Sequence, residues 1–165
     1  MIYKFTVTLK QQLVLLIQPI CAYIFILTGV YLYSNQLSFR TAEIAIIFIF
    51  LSDTLPVLIL HAQYLIKNCG NLLFIDEVNR TLTYENSKKK IEHITFSEID
   101  SLEYYVSSVR NTGIYSFARY RFFKMILKNG NEVIITCLMV NDIQNTLELR
   151  LHSKAQKKLK VMCFI

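Results

Sequence analysis

LVLLIQPICAYIFILTGVYLY (residues 13–33) and IAIIFIFLSDTLPVLILHAQYLI (residues 44–66) decide how this chain is read. The first run has no charged residue. The second has one carboxylate, Asp53, and one histidine, His61. About 20 apolar residues in a helix cross a hydrocarbon core of about 30 Å, so each run is long enough to span a bilayer. The link from Ser34 to Glu43 is too short for a domain. Residues 13–66 are therefore predicted to form an antiparallel transmembrane hairpin.

Working outward, charge sets the orientation. Lys4 and Lys10 precede the hairpin, Arg40 is the one basic residue in the link, and Lys67, Arg80, Lys88, Lys89 and Lys90 follow. Basic flanks stay on the cytoplasmic side. The expectation is a multi-pass protein of the cytoplasmic (inner) membrane with both termini cytoplasmic. Residues 1–12 lack the short apolar core and cleavage site of a signal peptide. Ile2, Tyr3, Phe5, Thr6 and Val7 favour a strand that returns to the sheet of the soluble part; a frayed end is the alternative.

Charged side chains are costly at mid-bilayer, by about 2.5–3.5 kcal/mol on insertion scales. Depth matching across the hairpin pairs Asp53 with Tyr23 and His61 with Gln18, each an interhelical hydrogen bond worth about 0.6–2 kcal/mol. Pro19 and Pro56 each lack an N–H and loosen the turn before them. A proton or ion relay through Asp53 and His61 is the other reading of these groups.

The composition agrees with an oily anchor and a basic soluble part. Of the 165 residues 53% are hydrophobic. The mean hydropathy is +0.37 with a pI of about 9.1. From residue 67 on, 15 Lys and Arg face 10 Asp and Glu, which leaves +5 of the total +6. That mild excess suits an anionic membrane surface. It lacks the dense basic stripe of a nucleic-acid binder, so nucleic acid is not a predicted partner.

Residues 67–152 read as one cytoplasmic domain of short antiparallel strands. Turns are predicted at Val78-Asn79-Arg80, at Glu85–Lys90, and at Lys128-Asn129-Gly130-Asn131, where Asn-Gly is a strong hairpin signal. Ile91–Phe96, Leu102–Val109, Phe117–Leu127 and Glu132–Met139 are strand candidates, and Arg110–Ser116 a loop. Residues 141–151 read as a helix capped by Asn141 or Asp142, with Ile143, Leu147 and Leu151 on one stripe. The absence of βαβ alternation argues against parallel pairing. Residues 153–165 form a basic tail, either an amphipathic segment on the membrane or a disordered end.

This order resembles the pleckstrin-homology-like domain of small bacterial membrane proteins, including the YcxB-like group. The resembling pieces are Lys4–Gln12, the two membrane helices, and the stretch from Leu72-Leu73-Phe74-Ile75 through Leu151. Within it, Ile94-Thr95-Phe96-Ser97-Glu98-Ile99 resembles a strand-then-turn opening and Phe122–Thr136 the penultimate hairpin. The resemblance implies an α+β fold: a bent antiparallel sheet or partial barrel closed by a C-terminal helix, behind a two-helix hairpin. It implies no catalytic residues.

Chemistry is sparse. No phosphate-binding loop, nucleophile elbow or zinc-binding helix motif is present. Cys21, Cys69, Cys137 and Cys163 show no paired spacing, and His61, His93 and His152 lie far apart, so no metal, disulfide or cofactor site is predicted. His93 is expected to be half-buried in a strand. Glu98, Asp100 and Glu103 are expected to cap or solvate a turn. The basic groups Lys88, Lys89, Lys90, Arg119, Arg121 and Lys124 are candidates for anionic lipid contact, each adding about 1 kcal/mol near the surface. Alternation would set Arg119 and Arg121 on one face and Tyr120 and Phe122 on the other. The overall expectation is a non-catalytic module that binds a protein partner, membrane lipids or a second copy of itself. A membrane immunity or self-protection factor against a toxin, and a transporter accessory or ion relay, are the alternatives.

Overall fold

A computed structural model describes residues 1–32, 39–109 and 115–165. Of the predicted link Ser34–Glu43, residues 34–38 lie outside the described residues and Phe39–Glu43 already belong to a helix, and most of the loop after Val109 lies outside the described residues. The chain is α+β, with two four-stranded sheets ordered β1-β2-β3-β4 and β7-β6-β5-β8.

Strand β1, Ile2–Thr6, pairs antiparallel with β2, Leu72–Asp76, from Ile2 opposite Asp76 to Thr6 opposite Leu72. Among the described residues, the elements between these two neighbours are all helices. Helix α1 spans Leu9–Leu32 and passes through Pro19 as one helix. Thr8 starts it with a reciprocal cap. The Thr8 N–H donates to Oε1 of Gln11, and the Gln11 N–H donates back to the Thr8 hydroxyl. Helix α2, Phe39–Ile49, continues through a π-helical turn, Phe50–Thr54, into α3, Leu55–Asn68. Pro56 offers no N–H to the carbonyl of Ser52, which accounts for the widened turn at that place.

The β2–β3 turn is tied by Asp76, whose Oδ1 accepts the N–H groups of Val78 and Asn79. Strand β3 is Thr81–Glu85 and β4 is Ile91–Thr95. At the corner between them Asn86 Oδ1 accepts the N–H groups of Lys88 and Lys90, and Lys89 takes a positive φ of 59°. A 3-10 turn, Phe96–Glu98, capped by Thr95, leads into β5, Ile99–Ser107. Strands β6, Phe122–Leu127, and β7, Glu132–Thr136, form the Asn-Gly hairpin, with Gly130 at φ +82°.

Two apolar clusters hold this together. In the first, Leu73, Ile75 and Leu82 meet Tyr104, Phe123 and Ile135 of the other sheet, and Ile143, Leu147 and Leu151 of α4, Ile143–Leu151, cover them. In the second, Val57, Leu60 and Tyr64 of α3 and Leu15 of α1 pack on Phe117, Tyr120, Leu138 and Cys163. Burying a side chain of this size contributes about 1.5–3 kcal/mol.

Several expectations change. The sheets do not close into a barrel. The tail is not a disordered end: Gln156–Lys160 is a strand, β8, paired parallel with β5 from Glu103 opposite Gln156 to Ser107 opposite Lys160. Helix α4 makes the crossover that a parallel pair needs. Phe117–Leu127 is not one strand, because Ser116–Arg119 is a 3-10 turn. The predicted sidedness is kept all the same: Arg119 is exposed, and Tyr120 and Phe122 are buried. Neither Asn141 nor Asp142 caps α4 with its side chain; Asp142 is the N-cap, and its Oδ2 accepts from the Asn145 amide instead. His93 is exposed, its Nδ1 on the hydroxyl of Thr83.

Candidate interaction sites at the hairpin base and the sheet edges

The base of the hairpin is where helices and sheets meet. The Asp53 carboxylate, in the π-turn, accepts the backbone N–H of Ser116 at 2.6 Å. His61 Nδ1 lies 2.9 Å from the Tyr120 hydroxyl, and the two rings meet edge to face. The Tyr64 hydroxyl donates to the carbonyl of Cys163 at 2.8 Å. Asn68 turns its carboxamide onto β7, donating to the Ile134 carbonyl and accepting the Thr136 N–H, both at 3.0 Å.

These bonds give Asp53 and His61 partners in the domain, where partners on the first helix were expected. Asp53 bonds to the 3-10 turn and not to Tyr23, which is half-buried in α1. His61 bonds to Tyr120; the Gln18 side chain lies outside the described residues. Depth matching assumed lipid or helix on every side of the second run, whereas one face of α3 is covered by the domain. Burial pushes the Tyr120 hydroxyl well above the ordinary tyrosine range, so it stays a neutral donor or acceptor.

The basic candidates are not gathered into one patch. Lys88, Lys89 and Lys90 sit on the exposed β3–β4 corner, with Lys90 paired to Glu92 at 2.9 Å. Lys124, on β6, is paired to Glu132 at 2.6 Å, which raises its pKa. Arg121 donates to the carbonyl of Asn141. Arg119 lies on the 3-10 turn at the hairpin base. Lys88 and Lys89 are exposed at the β3–β4 corner and form no ion pair among the described residues.

Sequence reasoning missed a cleft between the two sheets. A volume of about 390 Å³ lies between Lys90, His93 and Ile94 on one side and Leu127, Asn129 and Asn131 on the other. A second, of about 760 Å³, lies between Tyr84, Lys88 and Glu92 and the β7 residues Glu132 and Ile134, with Gln63 and Lys67 of α3 at its floor. The first lies between β4 and the β6–β7 turn, and the second is bordered by Glu92 of β4 and by Glu132, Val133 and Ile134 of β7. Strands β4 and β7 are each an edge strand of their sheet, but the sequence did not put them beside one cleft.

Among the described residues no three His, Cys, Asp or Glu side chains are placed to hold a metal ion. The assembly is a two-sheet, helix-covered module with exposed strand edges and two apolar helices inserted after its first strand. A family model described as PH domain matches residues 2–146, from β1 into α4 and across the helical insertion. The chain belongs to this PH-domain family, whose members are generally non-catalytic interaction modules that bind lipids or proteins. No curated protein and no solved structure matches the chain.

Proposed function

We propose that this chain is a membrane-anchored, non-catalytic PH-type module that presents an interaction surface at the cytoplasmic face of a bilayer. One observation carries the reading: the two helices inserted between β1 and β2 keep their apolar outer faces uncovered. Leu9–Leu32 and Arg40–Asn68 are both long and apolar enough to cross a membrane, and only 12% and 25% of their most apolar windows are buried. Phe25 is 79% exposed, Phe48 68% and Ile47 57%. Uncovered apolar surface on this scale needs a partner, and lipid matches its length and uniformity.

The domain sits at the foot of the hairpin, because β1 and β2 are neighbours and α3 is shared with the second apolar cluster. Basic residues on both sides of the hairpin favour a cytoplasmic domain with both termini inside. Asp53 and His61 are each engaged by the domain, which favours anchoring over an ion relay. The corner lysines Lys88 and Lys89 are left for contact with anionic headgroups or a partner.

Washing membranes that contain the full chain at alkaline pH tests the anchor. The protein is expected in the pellet, released only by detergent. Release into detergent-free buffer overturns the reading.

A further inference from the structure

The β4–β7 cleft has a specific chemistry. In a strand, the N–H and C=O of one residue point to the same side, and the side alternates along the chain. The Lys90 carbonyl accepts from Asn86, and the Phe96 N–H donates to Arg80, so even-numbered residues of β4 face β3. The backbone groups of Ile91, His93 and Thr95 therefore point away from the sheet. The Cys137 N–H donates to Arg121, so odd-numbered residues of β7 face β6. The backbone groups of Glu132, Ile134 and Thr136 point away.

Side chains occupy one end of each outward row. Glu98 Oε2 accepts the Thr95 N–H at 2.6 Å. Asn68 takes the Ile134 carbonyl and the Thr136 N–H. Both contacts copy what a neighbouring strand would do. Among the described residues they leave the outward groups of Ile91, His93 and Glu132 and the N–H of Ile134 without a partner, and His93, Glu132 and Ile134 line the cleft. Gln63 Oε1, which lines it, is buried with no hydrogen-bond partner among the described residues.

The charge in the cleft favours one kind of occupant. Its side-chain carboxylates are already engaged: Glu92 by Lys90, Glu132 by Lys124, and Glu98 by the Thr95 N–H and hydroxyl. Lys67 and Lys88 line the same cleft and have no carboxylate within ion-pair distance among the described residues.

We infer that the β4–β7 cleft is a peptide-docking site that takes an extended, acidic segment of a partner protein by main-chain pairing with an open strand edge. Such addition draws affinity from backbone hydrogen bonds and specificity from the side-chain surroundings. The inference rests on the interaction-module reading and gives that module a site and a partner chemistry.

The test uses the full chain in detergent micelles and a capped Glu-Val-Glu-Val-Glu peptide. Amide exchange at His93, Glu132 or Ile134 is expected to slow at least tenfold on binding. The same peptide N-methylated at alternate residues, and a Lys-Val-Lys-Val-Lys peptide, are expected to bind at least tenfold more weakly. His93→Pro removes one outward N–H from an edge where proline is tolerated. It should weaken binding while His93→Ala does not, and Lys67→Gln with Lys88→Gln should weaken it too. Equal binding of the N-methylated peptide, protection at β1 or β8 instead, no binding at millimolar peptide, or concentration-dependent protection of the chain alone each overturn the inference. The alkaline-wash result stands apart from all of these, so failure of the site and failure of the anchor read out separately.

Discussion

The Asp53 carboxylate reaches the backbone N–H of Ser116 across 63 residues of sequence, so the one charged side chain of the second apolar run is held by the domain. Ser116 itself is 1% exposed, and its N–H has no water to turn to. The bond sits where α3 departs from the π-turn and ties the hairpin to the 3-10 turn.

Asp53→Ala should therefore leave a buried donor unsatisfied and destabilise the chain by about 1–3 kcal/mol. Asp53→Asn keeps an acceptor oxygen and should cost clearly less. Thermal unfolding in detergent, followed by circular dichroism, ranks the two. Equal midpoints for wild type and Asp53→Ala would remove the structural role given to this contact.

Tyr64 joins the same junction to the end of the chain. It is fully buried, edge to face with Tyr120, and donates to the Cys163 carbonyl. Tyr64→Phe loses one hydrogen bond, about 0.5–1.5 kcal/mol. Tyr64→Ala also opens a cavity and should cost about 3–5 kcal/mol, as for other large aromatic truncations. Limited proteolysis is the second readout: cleavage after residue 160 should be faster in Tyr64→Ala than in wild type.

Acid should loosen the turn that leads into β5. The Thr95 backbone N–H, and then its hydroxyl, hold the Glu98 carboxyl below the ordinary carboxylate range. A depressed folded-state pKa gives a contribution that is present above the unfolded value and lost as pH falls through the folded one. In a carbon-detected NMR titration Glu98 should have its midpoint below the usual value of about 4.3. Thr95→Ala should move it part of the way back, because the backbone donor remains. A wild-type midpoint at the ordinary value would contradict the cap.

The four thiols should separate by surroundings. Burial pushes Cys137 up to about 11 and Cys163 up to about 12, so neither offers thiolate at neutral pH. Cys69, exposed at the end of α3, should react with a membrane-impermeant maleimide when the proposed cytoplasmic face is presented. Cys21 is exposed on α1 and, if the proposed anchor holds, should escape that reagent because lipid would lie against it. Labelling of Cys21 in sealed vesicles of either orientation would place it in water.

The turns were the most legible part of the fold. Val78-Asn79-Arg80, Glu85–Lys90 and Asn129-Gly130 all mark strand reversals, because turn chemistry acts over a few residues. The strand at Ile2–Thr6 was legible as well, since β-forming composition is also local. The 3-10 turn at Ser116–Arg119 was not, because Phe117 and Tyr120 are apolar for their place under α3 and so imitate a strand. Strand β8 was hidden for a related reason. Gln-Lys-Lys-Leu-Lys looks like a solvated tail, and only its neighbour β5 makes it a strand. Of the candidate contact residues, Lys88 and Lys90 line the cleft, whereas Arg121 and Lys124 are held by Asn141 and Glu132.

By itself the sequence determined two uninterrupted apolar runs, the strand reversals and the stripe of α4. Each depends on interactions within a turn or two of chain, which composition and spacing record directly. Tertiary structure decided what lies against each face of those elements. It set the partners of Asp53 and His61, the parallel seat of β8, and the placing of β4 and β7 beside one cleft. Those outcomes depend on segments tens of residues apart meeting in space, and desolvation rewards whichever group is nearest once they do.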